Sequence, residues 1–276
     1  MSPQRSRRLA VIDHHLRRAT VCSIIHTVSA RVGRTDFGFR RLVAAGGYRS
    51  GSTLQYNLIG AYFERIGIGR RFGLVDPDDV AAFAAAAAPR EAISVVKSHH
   101  AAGCFQSFVR PTAWAEEMQA GRARALTTRR DVAAVRISMM RKFGLTADNV
   151  ESSPLWLSNL CNDQRWRELG AHEQTYELLT DHPVDAIKDA CRFLRVPWSR
   201  VEAARAAQDS SLRTAIDTMQ QLAEGSFDPV TLVHWDHVDV SAISQRPKRH
   251  RTPRRPSRAS TDPTIGSLGF DDRLRA

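Results

Sequence analysis

The chain has little that would fasten it covalently, to a metal or into a bilayer. Its 276 residues include only four cysteines, Cys22, Cys104, Cys161 and Cys191, with no CxxC pair and no metal-ligand spacing. That pattern excludes a disulfide framework and a zinc site, and its expectation is reduced thiols in a cytoplasmic protein. No carboxylate cluster suits a cation, so no metal is expected. The longest apolar run, Val80 to Ala88, has nine residues and ends at Pro89, about half of what a bilayer span requires. No lysine precedes the hydroxyl pair in the one glycine-rich loop, so the nucleoside-triphosphatase pattern GxxxxGK[ST] is absent. His14, His15 and Asp13 interrupt any apolar stretch in the Arg-rich leader, which argues against a secretory signal.

What is abundant is positive charge, and its placement matters. The net charge is +11, but residues 1–41 hold nine Arg against Asp13 and Asp36, and residues 246–276 hold eight Arg and Lys248 against three Asp. The stretch between is left at about −2. A near-neutral middle between basic ends argues against a nucleic-acid-binding fold, so no specific nucleic acid is expected. Residues 245–276, rich in Arg, Pro, Ser and Thr, bury too little apolar surface to offset the entropy of ordering, and the leader 1–40 is poorly patterned. One domain over 41–244 is expected, and its oligomeric state is not legible.

Within that stretch Leu42 to Gly47 reads as a short buried strand and Thr53 to Ile66 as a helix, with Leu54, Leu58, Ala61, Tyr62 and Arg65 on one side. Asp76-Pro77-Asp78 caps an alanine-rich helix to Ala88, and Ile93-Ser94-Val95-Val96 is a strand delivering Lys97-Ser98-His99-His100. Pro111 opens a further helix ending near Gly121. Arg124 to Thr128 forms a third strand, followed by Arg129-Arg130-Asp131 and the helix Val132 to Phe143. The alternation predicts an α/β fold, a central parallel sheet flanked by helices, with ligands beyond the carboxyl ends of the strands. From Asn149 the pattern turns helical. Trp156 and Trp166 are packing anchors, Gln174 to Leu179 a fourth strand, Pro183 to Leu194 an amphipathic helix, and Ser199 to Glu224 one long helix or two short ones.

Three clusters fall at that sheet edge. Arg49-Ser50-Gly51-Ser52-Thr53 joins strand to helix: unpaired N–H groups and the helix dipole favour an anion, Gly51 permits close approach, the hydroxyls donate, and Arg49 supplies a planar fork. A glycine-rich turn that merely caps the helix is the competing reading. Lys97 and His99, two apart at a strand end, point the same way. His100 is a second candidate base, but strand alternation turns it to the opposite face. Arg130 sits in a strand-to-helix turn with Ser138 eight residues on, about two helical turns later.

In this order the clusters resemble the sulfotransferases that use 3′-phosphoadenosine 5′-phosphosulfate. Arg49 to Thr53 is similar to the family's RSGST 5′-phosphosulfate loop, Lys97-Ser98-His99 to its K-T-H strand end, and Arg130 with Ser138 to its 3′-phosphate element. "TYELLTDHPVDAIKDACRFLRVP" resembles the family's YEDL, proline, amphipathic helix and L-x-V-P stretch. The likeness covers roughly residues 42 to 235. The family's RKGxxGDWK element has no match, and "DPVTLVHWDH", Asp228 to His237, stands in its place, which points to a divergent bacterial branch.

The resemblance implies a P-loop-like fold with a helical C-terminal half, and sulfuryl transfer to the hydroxyl or amine of a small-molecule, carbohydrate or lipid acceptor. It assigns Arg49, Ser50, Gly51, Ser52 and Thr53 to the 5′-phosphosulfate, with Arg49 on the leaving group. Lys97 adds charge near the sulfuryl group, His99 is the general base, and Arg130 and Ser138 hold the 3′-phosphate. Nucleotide binding without catalysis, a P-loop kinase and a polyanion-binding protein driven by its basic tails are the other readings.

Overall fold

The computed structural model describes residues 37–75, 79–85, 92–100 and 113–234. The basic leader to residue 36, Asp76-Pro77-Asp78, the end of the alanine-rich helix at Ala88, Pro111 and the tail 245–276 lie outside the described residues. So do Cys22 and Cys104.

Five strands form one parallel sheet in the order β2-β3-β1-β4-β5. They are β1 (Arg41–Ala45), β2 (Gly69–Leu74), β3 (Ile93–Ser98), β4 (Ala123–Arg129) and β5 (His172–Thr175). Strand β1 lies between β3 and β4, with Ala45 level with Ser98 and Thr127, so three strand ends reach the same edge together. Parallel strands need crossovers, and these are supplied by α1 (Ser52–Arg65), α2 (Val80–Ala85), α3 (Ala113–Gln119) and α4 (Val132–Phe143) with α5 (Pro154–Glu168). The chain continues as α6 (Tyr176–Asp181), α7 (Pro183–Leu194), α8 (Arg200–Asp209) and α9 (Leu212–Gln220).

The period of two in β1 sorts its side chains to the two faces. Leu42 and Ala44 pack with Tyr56, Leu58 and Ile59 of α1 and with Ile187, Ala190 and Leu194 of α7. Val43 and Ala45 pack with Phe83, Trp114 and Trp166 on the other side. Helices thus cover both faces, as the unbroken apolar strands require.

Three elements differ from the expectations, and one open alternative is decided. Strand β2 carries Gly69, Arg70, Arg71 and Gly73, too little apolar pattern to be read, and it is an edge strand secured by pairing with β3. The proposed strand Gln174 to Leu179 is instead the end of β5 followed by α6, because the Thr175 hydroxyl accepts from Leu178 N–H and caps a helix. Of the two alternatives for Ser199 to Glu224, the chain takes two short helices, α8 and α9, with the Ser211 hydroxyl capping the second. In α1 no single stripe faces inward: Gln55 to Phe63 are all buried, whereas Arg65 is exposed and pairs with Asp209. The helix is covered by the sheet, by α8, and by residues 227–234, whose carbonyls at Val230 and Thr231 accept from Tyr56 Oη (2.8 Å) and Asn57 Nδ2 (2.7 Å).

Candidate functional site

The loop between β1 and α1 is wound around its glycines. Gly51 at φ 108° precedes α1 as a left-handed cap with no side-chain bond of its own, and a Cβ there would lie 2.5 Å from the Tyr176 ring. The first turn of α1 holds no acidic residue, and its first intrahelical bond runs from Gln55 N–H to Gly51 O. Helical geometry leaves the earlier amides of that turn directed at the sheet edge, where an anion fits. Ser52 and Thr53 start that turn, with Ser52 buried and Thr53 half-buried. Ser50 is buried and its hydroxyl donates to Gly47 O at 2.9 Å, so it closes the loop rather than standing ready as a donor. At the loop's base the buried Thr128 hydroxyl has no hydrogen-bond partner.

A helix that the sequence did not single out holds this loop from behind. Asn159 of α5 accepts from Tyr48 N–H (2.6 Å) and donates to Tyr48 O (2.9 Å), while Asp163 accepts from Gly47 N–H (3.2 Å). Burial pushes the Asp163 carboxyl up to about 6, although the Gly47 N–H and Arg167 pull the other way. Ser158, Asn159, Asn162 and Asp163 form a polar stripe at helical spacing between the Trp156 and Trp166 anchors, and that stripe is the signal that could have found them.

Two histidines flank Tyr48. Its ring stacks on His99 with centroids 4.3 Å apart and meets His100 edge-on at 5.8 Å. The expected alternation of His100 to the opposite face fails because β3 ends at Ser98. Their hydrogen bonds give the two rings opposite tautomers. His99 Nδ1 lies 3.1 Å from the Gly46 carbonyl, which can only accept, so Nδ1 carries the proton and the Nε2 lone pair faces Lys97 Nζ at 3.0 Å. Asn162 Nδ2, oriented by Ser158 O, lies 3.0 Å from His100 Nδ1, which leaves the His100 proton on Nε2, toward Tyr48 Oη at 3.4 Å. Burial first, then the Lys97 charge, holds the His99 pKa well below 6.5, and burial lowers that of His100. Both rings are therefore neutral near pH 7, and only His99 turns its lone pair toward a cation at the sheet edge.

The third cluster joins the first. Asp131 caps α4 by accepting from Ala134 N–H (2.8 Å), and Arg129 turns outward to Glu173 at 3.2 Å. Arg130 turns inward: its Nη1 donates to the Arg49 carbonyl at 3.1 Å, and its guanidinium lies 4.2 Å from the Tyr176 ring centroid. Arg49 has left-handed backbone, φ 67°, and its Nε donates to Ser138 Oγ at 2.8 Å. Residues that the resemblance allots to opposite ends of one donor thus touch.

The segment standing where a basic element was expected forms a small turn, with Asp228 Oδ1 accepting from Val230 and Thr231 N–H and Phe227 bridging His234. It carries no Lys or Arg over 228–234, and 235–237 lie outside the described residues. Among the described residues no group of three or more His, Cys, Asp or Glu could hold a metal ion, and no helix is long and apolar enough to cross a membrane.

No protein-family model matches the chain, and no curated protein matches it. Solved structures similar to the chain include the following three. A mouse sulfotransferase complexed with PAP shares 11% identity over 76% of this chain and 80% of its own, with a TM-score of 0.44. Retinol dehydratase with androsterone and inactive cofactor PAP shares 15% over 65% and 66%, at 0.44. Retinol dehydratase with retinol and PAP shares 14% over 74% and 78%, at 0.47. Identities and TM-scores this low leave the functional reading to the site's own geometry.

Proposed function

We propose that the chain is a sulfotransferase that moves a sulfuryl group from 3′-phosphoadenosine 5′-phosphosulfate to a hydroxyl or amine acceptor. The observation that carries this reading is the contact of His99 with the anion loop, where His99 donates to Gly46 O and keeps its lone pair toward Lys97 at the same edge. The site's chemistry suits the donor: a helix start without acidic residues, a lysine beside it, and two arginines nearby.

The donor supplies an activated sulfuryl group on a phosphate leaving group. His99 Nε2 takes the acceptor's proton as the acceptor oxygen bonds to sulfur, and neutrality near pH 7 is the state this requires. The sulfur–oxygen bond to phosphate breaks and its electrons pass to the bridging oxygen. Lys97 and the amides of Ser52 and Thr53 offset that growing charge, and fixed donors in a water-poor site cost no reorganisation as it develops. Nζ must first leave His99 Nε2, and an anion at the loop draws it away. The carbonyl of Gly46 keeps the proton on Nδ1 and so fixes which nitrogen accepts.

Nucleotide binding without transfer is the second reading, favoured by the Lys97 Nζ contact with His99 Nε2, which covers the base's lone pair. Incubation with sulfur-labelled donor and a panel of phenol, steroid, sugar and amine acceptors separates the two. Transfer by the wild type and its loss in His99→Gln, with adenosine 3′,5′-bisphosphate still bound, supports the enzyme. A His99→Gln protein that transfers at the wild-type rate refutes the base assignment.

A further inference from the structure

Once Lys97 leaves His99 Nε2 in the course of transfer, the 3.1 Å bond from Nδ1 to Gly46 O holds the imidazole at one nitrogen. One hydrogen bond does not fix a plane, because the torsion that orients the ring is broad and roughly two-fold. The ring could pivot and carry its lone pair away from the sheet edge. Tyr48 closes off that freedom. Its ring lies against the face of His99, with centroids 4.3 Å apart and planes 24° apart. Tyr48 is itself fixed by its neighbours. Asn159 clasps its backbone N–H and C=O at 2.6 and 2.9 Å, and Phe143 meets its ring edge-on at 6.1 Å. His100, oriented by Asn162, directs Nε2 to its hydroxyl at 3.4 Å. Behind these stands the cluster of Met139, Val150 and Trp156, with Phe143 packed on it, which joins α4 to α5. Stacked aromatic rings prefer particular offsets and planes, so a fixed tyrosine passes its orientation to the histidine.

Resting on the functional reading above, we infer that Tyr48 is a positioning residue for the reaction. Its ring face keeps the plane of His99, so that Nδ1 stays on Gly46 O and Nε2 faces the acceptor. The clasp by Asn159 is to the backbone of residue 48, so the ring can be exchanged while the loop keeps its support.

The test compares the full-length wild type with Tyr48→Phe and Tyr48→Leu. It reads nitrogen chemical shifts of His99, calorimetric titration with adenosine 3′,5′-bisphosphate, and transfer from sulfur-labelled donor to an acceptor that the wild type turns over. Tyr48→Leu fills much of the volume without a ring face. It should replace the single Nδ1–H tautomer of His99 by averaged shifts at both nitrogens and lower kcat about 10- to 100-fold, while bisphosphate affinity and acceptor KM stay within about threefold. Misorientation at the reacting group costs rate rather than binding. Tyr48→Phe keeps the ring face and should restore the tautomer and most of the rate. Unchanged His99 shifts in Tyr48→Leu would overturn the inference. So would bisphosphate binding that weakens as much as the rate falls, since the ring would then be a structural part of the loop. Tyr48→Phe as impaired as Tyr48→Leu would move the role to the hydroxyl and overturn it too. A wild type that transfers to no acceptor refutes the functional reading by itself. The His99 shifts then decide the ring's positioning, which stands if Tyr48→Leu loses the tautomer and Tyr48→Phe keeps it, and falls otherwise.

Discussion

Replacing Asp163 by Asn should make the protein more stable near neutral pH and leave it almost unchanged in acid. The carboxylate sits on α5 behind the anion loop and accepts from Gly47 N–H, yet burial raises its pKa from 3.8 to about 6. A folded-state value above the unfolded one means that folding favours the protonated form. That contribution is complete below about pH 3.8 and is lost as pH rises through about 6. Two units at about 1.4 kcal/mol each give about 3 kcal/mol, and partial solvent contact brings this to about 2 kcal/mol. Asn keeps an oxygen for the Gly47 N–H without the charge. Urea unfolding at pH 4.5 and 7.5 reads the difference. With a slope of about 2 kcal/mol per molar, the Asn variant's midpoint should exceed that of the wild type by about 1 M at pH 7.5 and by only about a third of that at pH 4.5. An equal gap at both pH values would refute the reasoning, since the ionised carboxylate would then not be penalised.

Asn159→Ala removes both side-chain bonds to the Tyr48 backbone and should cost about 2 kcal/mol in urea unfolding, with weaker binding of adenosine 3′,5′-bisphosphate. Binding at the wild-type affinity would show that the clasp does not hold the loop. Tyr56→Phe unlinks residues 227–234 from β2, because Tyr56 Oη donates to Val230 O and accepts from Gly73 N–H, both at 2.8 Å. The expected loss is about 2–4 kcal/mol, read by thermal or urea melts. His99, with its pKa lowered by burial and Lys97, should stay neutral with the proton on Nδ1 down through pH 6, which nitrogen chemical shifts report; titration near 6.5 would contradict the contact with Lys97. Stability tied to that neutral ring is present above pH 6.5 and declines as pH falls, so His99→Gln should flatten this acid limb in unfolding scans.

Residue type and order along the chain determined the β1–loop–α1 unit, the strand before Lys97, and the α4 and α7 boundaries. Glycine, proline and apolar period act locally, and Val132–Phe143 and Pro183–Leu194 lie where their caps and periodicity place them. They also determined that the loop, Lys97 with His99, and Arg130 with Ser138 share one edge, since parallel strands present all their carboxyl ends there. Tertiary structure alone decided what these groups do to each other. Strand β2 exists through pairing with β3, which no local pattern records. The polar stripe of α5 becomes a loop clasp only once α5 packs behind β1, and the opposite tautomers of His99 and His100 depend on partners up to 62 residues away. Arg49 meets Ser138 across 89 residues because a left-handed turn aims it there. Such contacts are set by the relative placement of elements, a long-range quantity that one-dimensional spacing does not contain.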